Sequence, residues 1–126
     1  MTDVAARLET LREVLAGFDG HDLDRILAVF GDDCVFEAPR GPEPWGRRYE
    51  GRQAVRDAFA ARFEGIPDAR YTGRGDFVAG DRGVSEWTLT GTRRDGEVIE
   101  VWGCDLWTFD GDKIVRKNSF WKAVER

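Results

Sequence analysis

The chain has 126 residues, 41% of them hydrophobic and 34% charged, with fifteen glycines and a formal net charge of -5. A chain of this size buries roughly two-thirds of the surface its unfolded form exposes, so one real core is expected without metals or disulfides, and the composition excludes disorder. The acidic balance, with no dense Lys/Arg run, argues against nucleic acid as a partner, since that requires a basic stripe to displace counterions.

Met1 to Leu11 is acidic and amphipathic, without an apolar signal core, and no later stretch approaches the ~20 apolar residues of a membrane span. The expectation is a cytoplasmic protein with no membrane partner. Cys34 and Cys104 have neither metal-ligand spacing nor the density of a secreted scaffold and read as reduced, buried thiols. With His21 as its single histidine the chain cannot build a His-rich metal site, so the metal expectation is none.

Val4, Leu8, Leu11, Leu15 and Phe18 recur at helical spacing and predict an amphipathic helix over about residues 4–17, with Gly17 and Gly20 marking its exit. Asp22 is placed to cap a second, short helix with the apolar stripe Leu23, Ile26, Leu27 and Phe30, stopped by Gly31. Cys34 to Ala38 reads as a short strand ended by Pro39. Residues 39–51, with Gly41, Pro42, Pro44, Gly46 and Gly51 beside Trp45 and Tyr49, read as a structured loop. A third helix follows, with Val55, Ala58, Phe59 and Phe63 on its face and Gly65 and Pro67 closing it.

From Tyr71 onward the period changes to two. Gly80-Asp81-Arg82-Gly83, Asp95-Gly96 and Asp110-Gly111-Asp112 separate runs rich in Val, Thr, Trp and Phe, which predicts a four-stranded antiparallel meander. Helices early and strands late indicate an α+β fold, with three N-terminal helices on one face of the sheet and residues 1–126 forming one domain without linker or repeat.

Turn chemistry then fixes which side chains meet. A two-residue turn at Asp95-Gly96 pairs Arg94 with Glu97 and sets Thr88 opposite Gly103 and Glu86 opposite Asp105. A three-residue loop over Asp110 to Asp112 sets Asp105 opposite Lys117 and Gly103 opposite Ser119. The expected row Glu86, Asp105, Lys117 crosses three strands, framed on the same face by Val84, Trp107 and Val115 and by Thr88, Thr90, Val101, Gly103, Ser119 and Trp121. Small and hydroxyl residues among aromatic rings suit a cavity. Two opposed carboxylates raise one pKa while Lys117 offsets the repulsion, which supplies a neutral acid or a poised base; the plainer reading is an Asp105–Lys117 ion pair at a wet rim with Glu86 in solvent. The opposite face carries Trp87, Leu89, Trp102, Cys104, Leu106 and Phe120, too apolar for water, and predicts a homodimer through the outer sheet face.

Several segments together resemble the nuclear-transport-factor-2-like (NTF2-like) superfamily, in its branch of SnoaL-like polyketide cyclases and ketosteroid-isomerase-related proteins. They are Gly20-His21-Asp22-Leu23-Asp24, then Phe30-Gly31-Asp32-Asp33-Cys34-Val35-Phe36-Glu37-Ala38-Pro39, Tyr49-Glu50-Gly51-Arg52-Gln53-Ala54-Val55, Trp87-Thr88-Leu89-Thr90-Gly91-Thr92, and Asp105-Leu106-Trp107-Thr108-Phe109 before Gly111-Asp112-Lys113-Ile114-Val115. The resemblance covers nearly the whole chain. It implies a cone in which a strongly curved sheet wraps helices one and three around a pocket. It also implies that Asp105 matches the pocket acid that donates to an oxyanion in ketosteroid isomerases, and that Trp121 matches a pocket-wall aromatic. Two departures stand against the usual steroid chemistry. Ala38 occupies the position of the proton-abstracting aspartate, and Val14 that of the tyrosine partner. Glu37 cannot substitute, because neighbouring side chains on a strand point to opposite faces.

The functional expectation is a cofactor-independent acid-base enzyme, cyclase-, isomerase- or dehydratase-like, acting on an apolar carbonyl-bearing or cyclic substrate. Asp105 is the expected acid or base, with Glu86 and Lys117 setting its protonation. Phe36, Ala38, Trp45, Tyr49, Phe59, Thr88, Gly103, Trp107, Ser119 and Trp121 are the expected lining, with Trp45 and Tyr49 as a lid. The alternative is a non-catalytic module that binds a hydrophobic metabolite. Arg40, Arg47, Arg48 and Arg52 read either as an anion-attracting rim or as a solvated loop, and His21 as a capping or surface residue.

Overall fold

The computed structural model describes residues 3–125. Helices α1 (Asp3–Asp19), α2 (Leu23–Leu27) and α3 (Arg52–Gly65) accompany strands β1 (Phe30–Glu43), β2 (Gly46–Glu50), β3 (Arg70–Ala79), β4 (Arg82–Thr92), β5 (Val98–Asp110) and β6 (Lys113–Trp121). The strands form one open sheet in the order β2-β1-β6-β5-β4-β3, antiparallel throughout except for the parallel pair β1–β6. This is the expected α+β architecture, with two more strands than the meander alone supplies.

Leu11, Val14 and Phe18 are buried on the inner face of α1, which packs against β3 and α2. Gly17 permits the close approach, since a Cβ there would lie 2.8 Å from Ile26 Cγ1. Asp22 caps α2, its carboxylate accepting from Arg25 N at 3.1 Å. His21 adopts φ 53°, stacks on Phe63 with ring centroids 4.3 Å apart and contacts Ala69 O at 2.7 Å through Nε2, a local structural role.

The largest departure in secondary structure is β1, which continues through Pro39 and Pro42 to Glu43 instead of stopping at Ala38. Pairing with β6 ends at Glu37↔Asn118, so beyond it β1 has only β2 as a neighbour, and a proline without an N–H is tolerated along the unpaired edge. The stretch expected to be a loop is therefore a hairpin. Gly46 closes it at φ 81°, where a Cβ would lie 1.9 Å from Ala38 O.

Two loops decide which residues face inward. Between β4 and β5, Arg93 N donates to Glu97 O at 2.8 Å, and Gly96 takes φ 91°. The connection is thus the three residues Arg94-Asp95-Gly96, not a two-residue turn. The pairing moves by one residue, to Ser85↔Asp105, Glu86↔Cys104 and Trp87↔Gly103, and β4 turns over. Val84, Glu86, Thr88 and Thr90 consequently face outward, while Ser85, Trp87 and Leu89 are buried inside.

Between β5 and β6 the loop is one residue shorter than expected, with Asp110 paired to Lys113, and a bulge at Val115 then adds one residue to β6. The two changes sum to a two-residue shift, giving Asp105↔Ser119 and Trp107↔Lys117. A shift of two preserves parity, so Asp105, Trp107, Lys117, Ser119 and Trp121 keep the inner face expected for them. On the outer face Trp102 and Phe120 are 53% and 49% exposed, and Cys104 and Leu106 are half-buried. Among the described residues no helix is long and apolar enough to cross a membrane.

Candidate functional site

The helices do not fill the concave side of the sheet. A cavity of about 270 Å³ remains between α1, α3 and the inner face of β1 and β4–β6. Its walls are largely apolar, with Leu11, Val14 and Phe18 from α1, Phe59 from α3, Phe36 and Ala38 from β1, and Trp107 from β5. Tyr49 lines it from β2, stacked on Phe36 with ring centroids 5.7 Å apart.

The polar floor comes from three adjacent strands. Asp105 and Lys117 are only 4% and 6% exposed. Lys117 Nζ donates to Asp105 Oδ1 and to Ser119 Oγ, each at 2.7 Å, and Ser119 Oγ donates to the same Oδ1 at 2.5 Å. Trp87 Nε1 donates to Asp105 Oδ2 at 2.8 Å. Both carboxylate oxygens are therefore engaged by three donors. Beside them Trp107 Nε1 donates to Ser85 Oγ at 2.9 Å, so the Trp87 and Trp107 indoles are fixed by hydrogen bonds as well as packing.

Lys117 sits among rings, its Nζ 5.0 Å from the Phe18 centroid, 5.1 Å from that of Phe36 and 5.5 Å from that of Trp107. Burial pushes its amine below the usual lysine range, an effect that the Asp105 charge opposes. An ammonium nitrogen offers three N–H positions, and Asp105 and Ser119 occupy two. The third carries either a proton or a lone pair, on an amine that lines the cavity. The arrangement can thus give or take one proton without disturbing its two anchoring bonds.

The expected row of three is corrected at one end. Glu86 lies on the outer face, 3.8 Å from the Arg74 guanidinium, and takes no part in the floor. Thr88 is turned outward with it. Gly103 does not line the cavity; it lies beneath the Trp87 ring, where a Cβ would come within 2.3 Å of Cη2. Trp45 is exposed under the Arg48 guanidinium, 4.5 Å from its ring centroid, and forms no lid. Phe36, Ala38, Tyr49, Phe59, Trp107, Ser119 and Trp121 do line the cavity.

Two of the four expected rim arginines, Arg48 and Arg52, are likewise employed elsewhere. Arg48 and Arg116 clamp the buried Glu37, and Arg52 donates to Leu27 O at 2.9 Å and Phe30 O at 2.7 Å. Instead Arg62 of α3 enters the cavity wall, its guanidinium 4.4 Å from the Trp121 ring centroid. Loss of solvation lowers its pKa. Tyr71 also lines the cavity, and burial pushes its hydroxyl pKa up to about 12. Arg62 was legible in principle: with Val55, Phe59 and Ile66 it continues one helical stripe, and an arginine interrupting an apolar stripe is the available signal. Among the described residues no group of three or more His, Cys, Asp or Glu gathers to hold a metal ion.

The chain resembles solved structures over nearly its full length. It is 28% identical to an NTF2-like protein of unknown function from Mesorhizobium loti, covering 98% of this chain and 96% of that one with a TM-score of 0.80. Bal32a, from a soil-derived mobile gene cassette, is 17% identical with a TM-score of 0.84, covering 95% and 92% of the two chains. TerC, co-crystallised with polyporic acid, is 22% identical with a TM-score of 0.81 over 93% and 92%. At these identities Bal32a and TerC attest the fold alone. No curated protein matches the chain. The SnoaL-like domain family matches residues 11–117, from within α1 to Lys117 of the floor, and the chain belongs to that family within the NTF2-like superfamily.

Proposed function

We propose that the protein is a cofactor-independent acid-base enzyme of the isomerase or cyclase type, and that Lys117 is the group that moves the proton on an apolar, carbonyl-bearing or cyclic substrate. The observation that carries this reading is the buried Lys117 amine, held by two acceptors with a third position to spare. Asp105 is better suited to positioning than to transfer, because three donors already occupy it. It holds the amine in place and balances the ammonium that forms when the amine takes a proton from carbon. Tyr71, kept protonated at neutral pH, stands in the cavity wall as a neutral donor to the guest. The TerC complex with polyporic acid supports a small organic guest in this fold.

The test is deuterium incorporation α to the carbonyl of 1-indanone in D2O, followed by NMR with wild type and Lys117→Met. A positioned general base contributes roughly 10²–10⁴-fold, and that acceleration should vanish in the variant. Equal rates with wild type and Lys117→Met would sink the proposal.

Ala38, an apolar wall residue where the isomerases carry their base, favours a second reading in which the cavity only stores a hydrophobic metabolite. Saturable binding of the ketone with no exchange would select it. For the outer sheet face a second copy of the chain is the proposed occupant, supported by the exposed Trp102 and Phe120. Sedimentation as a monomer at tens of micromolar would exclude that assembly.

A further inference from the structure

Arg62 is placed unlike the two charges already described inside the molecule, Lys117 and Glu37. Lys117 has Asp105, and Glu37 has two arginines. Arg62 stacks on Trp121, and among the described residues no carboxylate or carbonyl accepts from any of its N–H groups. Stacking uses the flat face of the guanidinium and leaves its donor edge unused. Desolvation lowers the Arg62 pKa, Tyr71 opposes this, and Arg93, which lines the same cavity and pairs with Glu97 at 2.9 Å, adds to it. A protein of net charge -5 thus keeps a half-buried guanidinium in an apolar cavity wall with a second arginine beside it, at a cost in desolvation.

The same wall offers a second donor. The Tyr71 hydroxyl has no hydrogen-bond partner among the described residues, and no unpartnered polar side-chain atom in the described structure is sealed from solvent. Both the guanidinium edge and the phenol thus remain available to a guest. Around them stand Phe18, Trp87 and Trp121, rings that suit a flat apolar body.

We infer that Arg62, assisted by Tyr71, forms a carboxylate-binding subsite and that the natural ligand is an aromatic or similarly flat organic acid. The carboxylate lies against the guanidinium edge, and the ring system extends over the apolar wall toward the Lys117 floor. A planar fork matches a carboxylate in two parallel hydrogen bonds and discriminates against a neutral group of the same shape. The inference deepens the proposed function by naming the substrate class, and it rests on the reading that the cavity takes an organic guest.

The experiment is calorimetric titration of the full chain with 2-naphthoate and with the neutral 2-naphthamide at neutral pH. Wild type should bind the acid roughly ten- to a hundredfold more tightly than the amide, the worth of a charge-assisted contact. Arg62→Met should abolish that preference while the amide still binds, which also shows that the cavity is intact, and Arg62→Lys should restore part of the preference. Lys117→Met should keep the preference. A preference that survives in Arg62→Met, a preference lost in Lys117→Met, or no binding of either compound to wild type overturns the inference. A wild type that prefers the acid yet fails to exchange 1-indanone would retire the acid-base proposal and leave the subsite standing, whereas exchange without acid preference would do the reverse.

Discussion

The sheet floor and the α3 wall present charge to the same cavity, and they hold it in opposite ways. On the floor Asp105 and Lys117 are bound to each other, to Ser119 and to Trp87. On the wall Arg62 is merely stacked on Trp121. The difference separates what the fold requires from what only a guest requires. A partnered buried ion cannot lose its counterpart cheaply, while a cation that already lacks one is expected to contribute little to folding.

The largest effect should come from breaking the floor. Asp105→Leu strands the Lys117 amine among aromatic rings, and loss of one partner from a buried pair costs about 3–5 kcal/mol. Urea unfolding should register that loss, whereas Arg62→Met should change stability by no more than about 1 kcal/mol. Equal losses would erase the distinction between floor and wall.

Gly103→Ala should come next. Its Cβ would press on the Trp87 ring from 2.3 Å, and overpacking of this kind costs typically 1–3 kcal/mol. It should also move Trp87 Nε1 away from Asp105, visible as a changed indole N–H resonance. An unchanged resonance with unchanged stability would mean that the floor does not depend on that ring.

A smaller effect, read as a change with pH and not as a total loss, comes from the titration of Lys117 itself. Burial lowers its folded pKa below the unfolded value of 10.5, so between the two the unfolded chain binds the extra proton. Stability therefore rises with pH across that window, and the penalty for burying the charge is fully present below the folded pKa. The difference in unfolding free energy between wild type and Lys117→Met should shift in favour of wild type as the pH rises from the folded pKa of the amine toward 10.5. Cys34 and Tyr71 hold raised pKa values and act in the opposite sense at alkaline pH, but Lys117 is not among the causes of either shift, so they cancel in the difference; Cys104, whose raised pKa Lys117 partly offsets, is removed from the comparison by making both proteins Cys104→Ser. A flat difference would place the amine in contact with water.

How much of this was readable in the chain follows from what fixes each feature. Helical stripes are local, so Leu11 and Phe18 on α1 and Val55 and Phe59 on α3 are assignable from spacing and are buried, although Val4 at the start of the α1 stripe is exposed. Strand faces depend on parity, and parity depends on loop length and bulges. The β5–β6 pair deviated twice, by a shorter loop and a bulge at Val115, and the deviations restored the inner face. The β4–β5 pair deviated once, and every β4 residue changed sides. Asp105 and Lys117 were accordingly legible while Ser85 and Trp87 were not. Pro39 misled because its tolerance depends on whether a neighbouring strand needs its N–H, which is a tertiary fact. Arg62 carries a weak signal, its place in the Val55–Phe59–Ile66 stripe, which the usual solvation of an arginine outweighs until the cavity beside Trp121 is seen.

The smallest expected effect is at Glu86, and it tests the register on which the comparison of floor and wall rests. Opposite Asp105 its carboxylate would add a second negative charge to the floor, and its neutralisation would reset the Lys117 amine. In the observed register Cys104 stands opposite, and Glu86 points outward to an exposed contact with Arg74 at 3.8 Å. Exposed pairs of that kind are screened and contribute roughly 0–1 kcal/mol. Glu86→Gln should therefore leave both the alkaline rise in stability and the exchange of 1-indanone as they are in wild type. A change in either would put the carboxylate back beside Asp105 and return β4 to the face it was first expected to show.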